Sequence, residues 1–275
     1  MDLAWLSRNV VWSWKRSASL TDAIKMLYWT YSHRFPRFVR LGNLKIRFRY
    51  PLPLGRLELS VRTNSSDRFI FGEVFDHNYY RLEGFVPRTI LDLGANVGFT
   101  AVYYSKWFPS AAIACVEPEP GNLKVLYHNM AMNGVRAKIF EAAISKSDGE
   151  ETLSLSDQDY GHKIVDVETG DLPRSIRVKA IAVQTLLREL KWLKIDLLKI
   201  DIEGYETKLF QSGCNWLHQV DKMFIEWHET VQQAEVKLSE LARQYGFLPP
   251  KLLPGIWLLE READVHTAVL DGTSE

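Results

Sequence analysis

Cysteine is scarce. There are two in 275 residues, Cys115 and Cys214, each beside apolar residues and neither in a CxxC pair. That excludes a disulfide-built scaffold and predicts reduced core thiols in a reducing compartment. Long apolar runs are missing too: nothing approaches the roughly 18 residues a transmembrane helix needs. The opening stretch MDLAWLSRNVVWSWKRSASL is interrupted by Arg8 and has no small-residue cleavage pattern, so it does not read as a secretory signal, and the expected location is cytoplasmic. Net charge is absent as well, with 34 basic and 34 acidic residues, which removes any global drive towards nucleic acid or anionic surfaces. No internal repeat and no low-complexity segment interrupts the chain. The length suits one large domain with an extension.

The neutral total hides an asymmetry. Through residue 68 there are thirteen Lys and Arg against four Asp and Glu, so the remainder carries the matching acidic surplus. The first forty residues are rich in Trp, Tyr and Leu at helical spacing and predict helices. Those helices pack on the main domain, or else present an aromatic, basic face to a membrane interface as a peripheral contact. From Val39 to Val61 the pattern alternates. LKIRFRY puts Leu44, Ile46 and Phe48 on one side and Lys45, Arg47 and Arg49 on the other, and RLELSV repeats the pattern after PLPLG, which predicts a β-hairpin. The basic row either grips an anionic acceptor or is a solvated strand face. The expected division is a helical and β-hairpin extension over 1–66 and a second domain over 67–275.

From Thr89 onward strands and helices alternate. Strands are expected near 89–93, 111–116, 137–143, 195–200 and 221–227, with helices near 97–107, 119–132, 204–211 and 231–244. An insert, 145–192, holds two antiparallel strands and a helix. The tail segments GIWLLE and HTAVL are expected to close the sheet as a hairpin. Repeated strand–helix units of this kind predict an α/β fold with a mostly parallel sheet flanked by helices.

ILDLGANVGF, residues 90–99, is a buried strand that breaks into glycines before a helix. In an open α/β sheet ligands lie outside the carboxyl ends of the strands. Gly94 and Gly98 would let a ligand approach the backbone. The spacing Gly94-Ala95-Asn96-Val97-Gly98 is not GxGxxG, and no Gly-Lys-Ser/Thr follows, so dinucleotide and P-loop readings fail. S-adenosylmethionine, which has no phosphate, is the remaining common candidate. The next strand ends in Glu117, nineteen positions beyond Gly98, where an acid can accept both ribose hydroxyls of a nucleoside. LLKIDIEGYE then brings Asp201 and Glu203 to a strand end, and MFIEWHE brings Glu226 and His228. Asp201 and His228 are the candidate general bases, against the blander reading of helix caps and ion pairs. No metal is assigned, and a divalent cation held by some of Asp201, Glu203, Glu226 and His228 is the lesser alternative.

In that order, ILDLGANVGFT, VEPEPGNLKVLYHNMAMNG, LLKIDIEGYE and IEWHE resemble the FkbM family of S-adenosylmethionine-dependent methyltransferases, with the similarity running over roughly residues 67 to 230. KIDIEG is its most specific part. The resemblance implies a Rossmann-like class I methyltransferase fold of seven strands, the last antiparallel, and O-methylation of a hydroxyl on a sugar, glycoconjugate or natural product. By matching positions it implies that Asp92, Gly94, Asn96 and Gly98 hold the methionine end of the cofactor and Glu117 the ribose. A Tyr-bearing segment, 68–86, precedes the first strand, and its Tyr80 is expected to contact the cofactor as part of a cover. The chain departs from the family at Gln184, where an acid is common. N-methylation of nucleic acid or protein is the alternative activity, disfavoured because the fourth strand ends in DIEGY and not in a polar-Pro-Pro-aromatic loop. A cofactor-binding module without catalysis is the third. The expected partner is a small-molecule or glycan acceptor, with nucleic acid disfavoured and the oligomeric state left open.

Overall fold

The structure is a computed structural model that describes residues 3–36, 41–50, 54–63, 65–155, 163–165, 175–211 and 213–262. Two helices, α1 (Leu3–Arg16) and α2 (Leu20–Tyr31), open the chain. Ser19 caps α2 by accepting the Asp22 N–H, which satisfies one of the donors a helix start leaves open. The hairpin follows as β1 (Asn43–Arg49) and β2 (Arg56–Arg62), paired antiparallel. Its alternation is as the sequence pattern requires: Leu44, Ile46 and Phe48 are buried and Lys45, Arg47 and Arg49 are exposed.

A short helix α3 (Asp67–Phe71) runs directly into a π-helical turn over Gly72–Asp76. Then the alternating part begins: β3 (Thr89–Leu93), α4 (Phe99–Trp107), β4 (Ala112–Val116), α5 (Pro120–Asn133) and β5 (Ala137–Phe140). The expected strand 137–143 is interrupted, because β6 (Ala143–Ser145) leaves the main sheet for another. That second sheet is four-stranded, with β7 (Gly149–Ser154), β8 (Lys163–Val165) and β9 (Ser175–Ala182), and β7 and β9 pair antiparallel as the insert pattern predicts. Helix α6 (Val183–Leu190) returns to β10 (Ile195–Ile200), followed by α7 (Glu206–Leu209), β11 (Val220–Ile225) and α8 (Val231–Tyr245).

The closing hairpin is β12 (Lys251–Leu253) with β13 (Ile256–Glu260). The partner of GIWLLE is therefore the segment just before it, while HTAVL lies outside the described residues. The main sheet has seven strands in the order β12-β13-β11-β10-β3-β4-β5, with β13 antiparallel to β11. β3 and β10 are central neighbours whose next strands lie on opposite sides, so a switch point falls between their carboxyl ends.

Successive residues of each strand point to opposite faces and feed two cores. Ile90, Ile113, Leu197 and Phe224 join the α2, hairpin and α4 side, with Met26, Trp29, Phe48 and Phe75. Leu91, Leu93, Leu198 and Ile225 join the α6–α8 side. The N-terminal extension is thus continuous with the first core. It is stitched to α5 by Asn129, whose Oδ1 accepts the Ser60 N–H at 2.7 Å, and by Asn133, whose Nδ2 donates to the Glu58 carbonyl at 2.7 Å. Cys115 and Cys214 are buried, one in each core, and are not joined in a disulfide. No helix among the described residues is long and apolar enough to cross a membrane.

Candidate active site

Gly94 leaves β3 with φ of +83°, a left-handed conformation that side chains resist. A Cβ placed on it would lie 1.8 Å from the carbonyl oxygen of Asp201, at the end of neighbouring β10. The adjacent backbone by itself therefore demands a glycine here. Gly98, also left-handed at +81°, starts α4, and a Cβ there would meet Leu126 Cγ at 3.2 Å. Both glycines make close packing possible and thereby shape the site indirectly.

What the bend does supply is backbone donors. The Asn96 N–H points at Glu117 Oε2, 2.8 Å away. Glu117 Oε1 accepts the Glu119 N–H at 3.0 Å and Asn122 Nδ2 at 3.1 Å. Burial pushes the Glu117 carboxyl up to about 7 against these three donors, which favour its charged form. With about four lone-pair sites on a carboxylate and three taken, one place remains for a ligand hydroxyl. The sequence reading of two ribose hydroxyls on Glu117 narrows to one direct contact.

Glu117 borders a cavity whose apolar walls are Val116, Pro118, Ala142, Ile144 and Leu153, and whose polar rim includes Asn96. Asn96 Oδ1 is buried with no hydrogen-bond partner among the described residues. An apolar cavity with a carboxylate acceptor and an amide oxygen lacking a partner among the described residues has the chemistry to receive a nucleoside.

A second cavity, of about 340 Å³, opens on the far side of Asn96, Asp201 and Glu203, which line both. Its roof is the α3 segment with Phe69 and Ile70, and the π-helical turn contributes Glu73. Tyr80 lines this cavity and not the one holding Glu117; it is 2% exposed, with its ring edge-on to Phe224. The 68–86 segment thus covers the strand-end side of the site rather than the nucleoside slot.

The strand ends crowd charge into this cavity. Lys199 is buried on β10 and donates to the Gly94 carbonyl at 2.6 Å. Its Nζ also lies 3.2 Å from Asp92 Oδ1, directly across the sheet, and 3.4 Å from Asp201 Oδ2. These two acids outweigh burial, which would lower an isolated lysine, and keep Lys199 well above its ordinary value. Asp92 itself borders neither cavity. It is completely buried, and burial raises its carboxyl while Lys199 opposes. Asp92 and Lys199 form a buried ion pair beneath the floor that holds the ends of β3 and β10 together.

His228 follows β11. Its Nδ1 lies 3.0 Å from Glu206 Oε1, and the same oxygen accepts the Ile202 and Gly204 N–H groups. An ionised carboxylate only accepts, so Nδ1 carries a proton and Nε2 faces the cavity. Nε2 is 3.4 Å from Glu203 Oε2, 3.8 Å from Glu226 Oε1 and 4.0 Å from Asp201 Oδ1. Burial disfavours the imidazolium, but the Glu206 hydrogen bond and the surrounding acids prevail and raise His228 to about 9. Burial and the Asp201 charge raise Glu226 to about 8 and Glu73 to about 7.

Of the residues singled out from sequence, Gly94, Asn96, Glu117 and Asp201 line the nucleoside cavity. Asp201, Tyr80 and His228 share the second. Asp92 and Gly98 line neither. Arg47 and Arg49 are not there at all: Arg47 pairs with Asp22 at 3.5 Å, and Arg49 donates to the Ala18 carbonyl. An anionic acceptor held by that row has no geometric support, because a flat hairpin puts its outer face away from the strand ends. Gln184 donates to the Gly213 carbonyl, remote from both cavities. Lys199, Glu206 and Glu73 escaped the sequence reading. Lys199 had left a signal, a lone cation inside the otherwise apolar strand LLKI. Glu73 had left none.

The profile of the methyltransferase FkbM domain matches residues 92–249, which is more than half of the chain. The chain belongs to the FkbM methyltransferase family. FkbM-family methyltransferases use S-adenosylmethionine, and the slot above Glu117 is where the residues fit its nucleoside. Among relatives, methyltransferase sdnD of Sordaria araneosa is 29% identical over 198 residues, covering 57% of this chain and 73% of that protein. The 31-O-demethyl-FK506 methyltransferase FkbM of Streptomyces tacrolimicus is 23% identical over 230 residues, covering 71% and 87%. AMB antimetabolite synthetase AmbE of Pseudomonas aeruginosa is 25% identical over 240 residues, which cover 71% of this chain and 11% of that protein.

Proposed function

We propose that this FkbM-family methyltransferase is an O-methyltransferase that methylates a hydroxyl oxygen of a small natural-product or sugar acceptor. The observation that carries the reading is the pairing of cavities: a nucleoside slot and an acid–histidine cavity that share Asn96, Asp201 and Glu203. S-adenosylmethionine, when bound, supplies a methyl group already activated by its sulfonium. The chain's work is therefore alignment and proton removal. Glu117 and Asn96 hold the nucleoside, and the α3 segment with Phe69, Ile70 and Tyr80 gives the acceptor an apolar wall. A hydroxyl must lose its proton during or after transfer, and the cluster of Asp201 and His228 takes it. Because the acids hold His228 protonated at neutral pH, Asp201 is the immediate acceptor and His228 the charge that steadies it. The cavity's carboxylates favour an acceptor rich in hydroxyl or ammonium donors over a phosphorylated one.

The test is methyl transfer from labelled cofactor across a panel of sugars, glycolipid precursors and polyketides, with amines alongside. Product labelled at oxygen supports the reading, and transfer to nitrogen alone rejects it. With an acceptor in hand, Asp201→Asn and His228→Ala should each cut kcat by about 10²–10⁴-fold with cofactor affinity nearly intact. If both keep wild-type turnover, the proton leaves by another route.

A further inference from the structure

We infer that Asp201, Glu203 and His228 form a binding site for one hard divalent cation, of the Mg²⁺ or Mn²⁺ class, at the mouth of the second cavity. One atom from each lies within 4.8 Å of the other two. The separations from Nε2, 3.4 Å to Glu203 and 4.0 Å to Asp201, fall in the range set by a shared cation. Ligands about 2.1 Å from one ion stand about 3 Å apart at right angles and about 4.2 Å apart when opposed.

The surroundings orient each ligand. Glu206 accepts the Nδ1–H of His228, which orients the ring with Nε2 towards the two acids, and an incoming cation displaces the Nε2 proton to gain that lone pair. Lys199 engages Asp201 through Oδ2, leaving Oδ1 on the His228 side. Glu203 is carried into place by a turn in which it adopts φ of +56°, uncommon for a residue with a side chain. Glu73 and Glu226 add negative charge to the same cavity, and Lys199, the one lysine among its described lining residues, is already held by Asp92 and Gly94. A separate feature also points to a polar ligand. Ser66 borders this cavity at 3% exposure, and its hydroxyl has no hydrogen-bond partner among the described residues. A metal-bound water or the coordinated acceptor would supply one. One imidazole among carboxylates suits a hard ion rather than a thiophilic one. A cation there would polarise an acceptor hydroxyl.

Binding is measurable without any acceptor, so the site stands or falls apart from the O-methyl reading. The chelator-stripped full chain is titrated with Mn²⁺, and free Mn²⁺ is followed by electron paramagnetic resonance. One Mn²⁺ per chain is expected, with nitrogen modulation from a coordinated imidazole in the pulsed spectrum of the wild type. Glu203→Gln should weaken binding tenfold or more, and His228→Gln should abolish the nitrogen modulation; circular dichroism and cofactor affinity check that both variants fold. Failure of the wild type to bind Mn²⁺ overturns the inference, and so does bound Mn²⁺ without nitrogen modulation or with affinity unchanged in Glu203→Gln.

Discussion

The two cavities meet at Asn96, Asp201 and Glu203 yet are made in opposite ways. The nucleoside slot draws its polar groups from two successive strand–helix turns, and three donors, two of them backbone N–H groups, converge on one carboxylate. The second cavity assembles Glu73, Lys199, Asp201, Glu226 and His228 from the π-helical turn and two strand ends. The first is fixed once the sheet forms. The second is a balance of side-chain charges, each of which depends on the others. Substitutions should therefore act locally and on affinity in the first, and collectively on charge and proton occupancy in the second. The seam between them, where Gly94 touches β10 and Lys199 spans Asp92 and Asp201, belongs to both.

The largest effect is expected at that seam. Gly94→Val places a branched side chain where the Asp201 carbonyl already sits, in a left-handed conformation. The expected outcome is loss of folded protein, or at least about 4 kcal/mol less stability in urea unfolding. A stable variant that merely failed to bind cofactor would show that the glycine serves ligand approach after all, and that the two cavities are less tightly joined.

Lys199→Met comes next. It leaves Asp92 buried without its cation, and breaking a buried pair from one side costs about 3–5 kcal/mol. Adding Asp92→Asn should recover part of the loss, which a double-mutant cycle measures. No recovery would mean that Lys199 matters through Gly94 and Asp201 alone, and the seam would belong to the second cavity only.

The contrast also explains what the sequence could disclose. The strand–helix alternation was legible because apolar runs and turn residues are local. Glu117 was legible because its distance from the glycine motif is set by one strand–helix–strand unit. The Lys199–Asp92 pair was not, although both residues were in plain view, because pairing across β3 and β10 needs the strand order. Glu73 and Tyr80 reach the second cavity through a π-helical turn that no periodicity announces. The packing demand on Gly94 is hidden for the same reason: the atom that forbids its side chain belongs to Asp201, more than a hundred residues away. The switch of β6 out of the main sheet is likewise a tertiary choice, since its residues would suit either sheet.

On the nucleoside side, Glu117→Ala should weaken cofactor binding by about 1–3 kcal/mol, through loss of a charged acceptor. With the Glu117 carboxyl at about 7, cofactor affinity should rise with pH up to that region and then level off, because only the ionised form has no competing proton. Calorimetry at several pH values checks this, and Glu117→Gln should flatten the profile. An unchanged affinity in Glu117→Ala would remove the ribose contact from the slot.

The smallest effect separates the cavities by their protons. In the second cavity the carboxyls of Glu73 and Glu226 sit at about 7 and about 8, above their ordinary value of 4.5, and His228 at about 9, above 6.5. The folded chain therefore holds more protons than the unfolded chain between pH 4.5 and 9. Stability falls with rising pH wherever the native state binds the excess. For His228 the contribution is complete below 6.5 and is lost as pH rises through about 9; for the two carboxyls the penalty grows above 4.5 and is complete once they ionise. All three have the same sign, and solvent at the cavity mouth screens them, so the expected change is a decline of a few degrees in Tm from pH 6 to pH 9.5. Glu226→Gln should remove its share and flatten the decline. Glu117, at about 7, adds a decline of the same sign from the first cavity, so the second cavity's share is the part that Glu226→Gln removes; a wild-type Tm that rises across this range would mean that the carboxylates are already ionised at low pH.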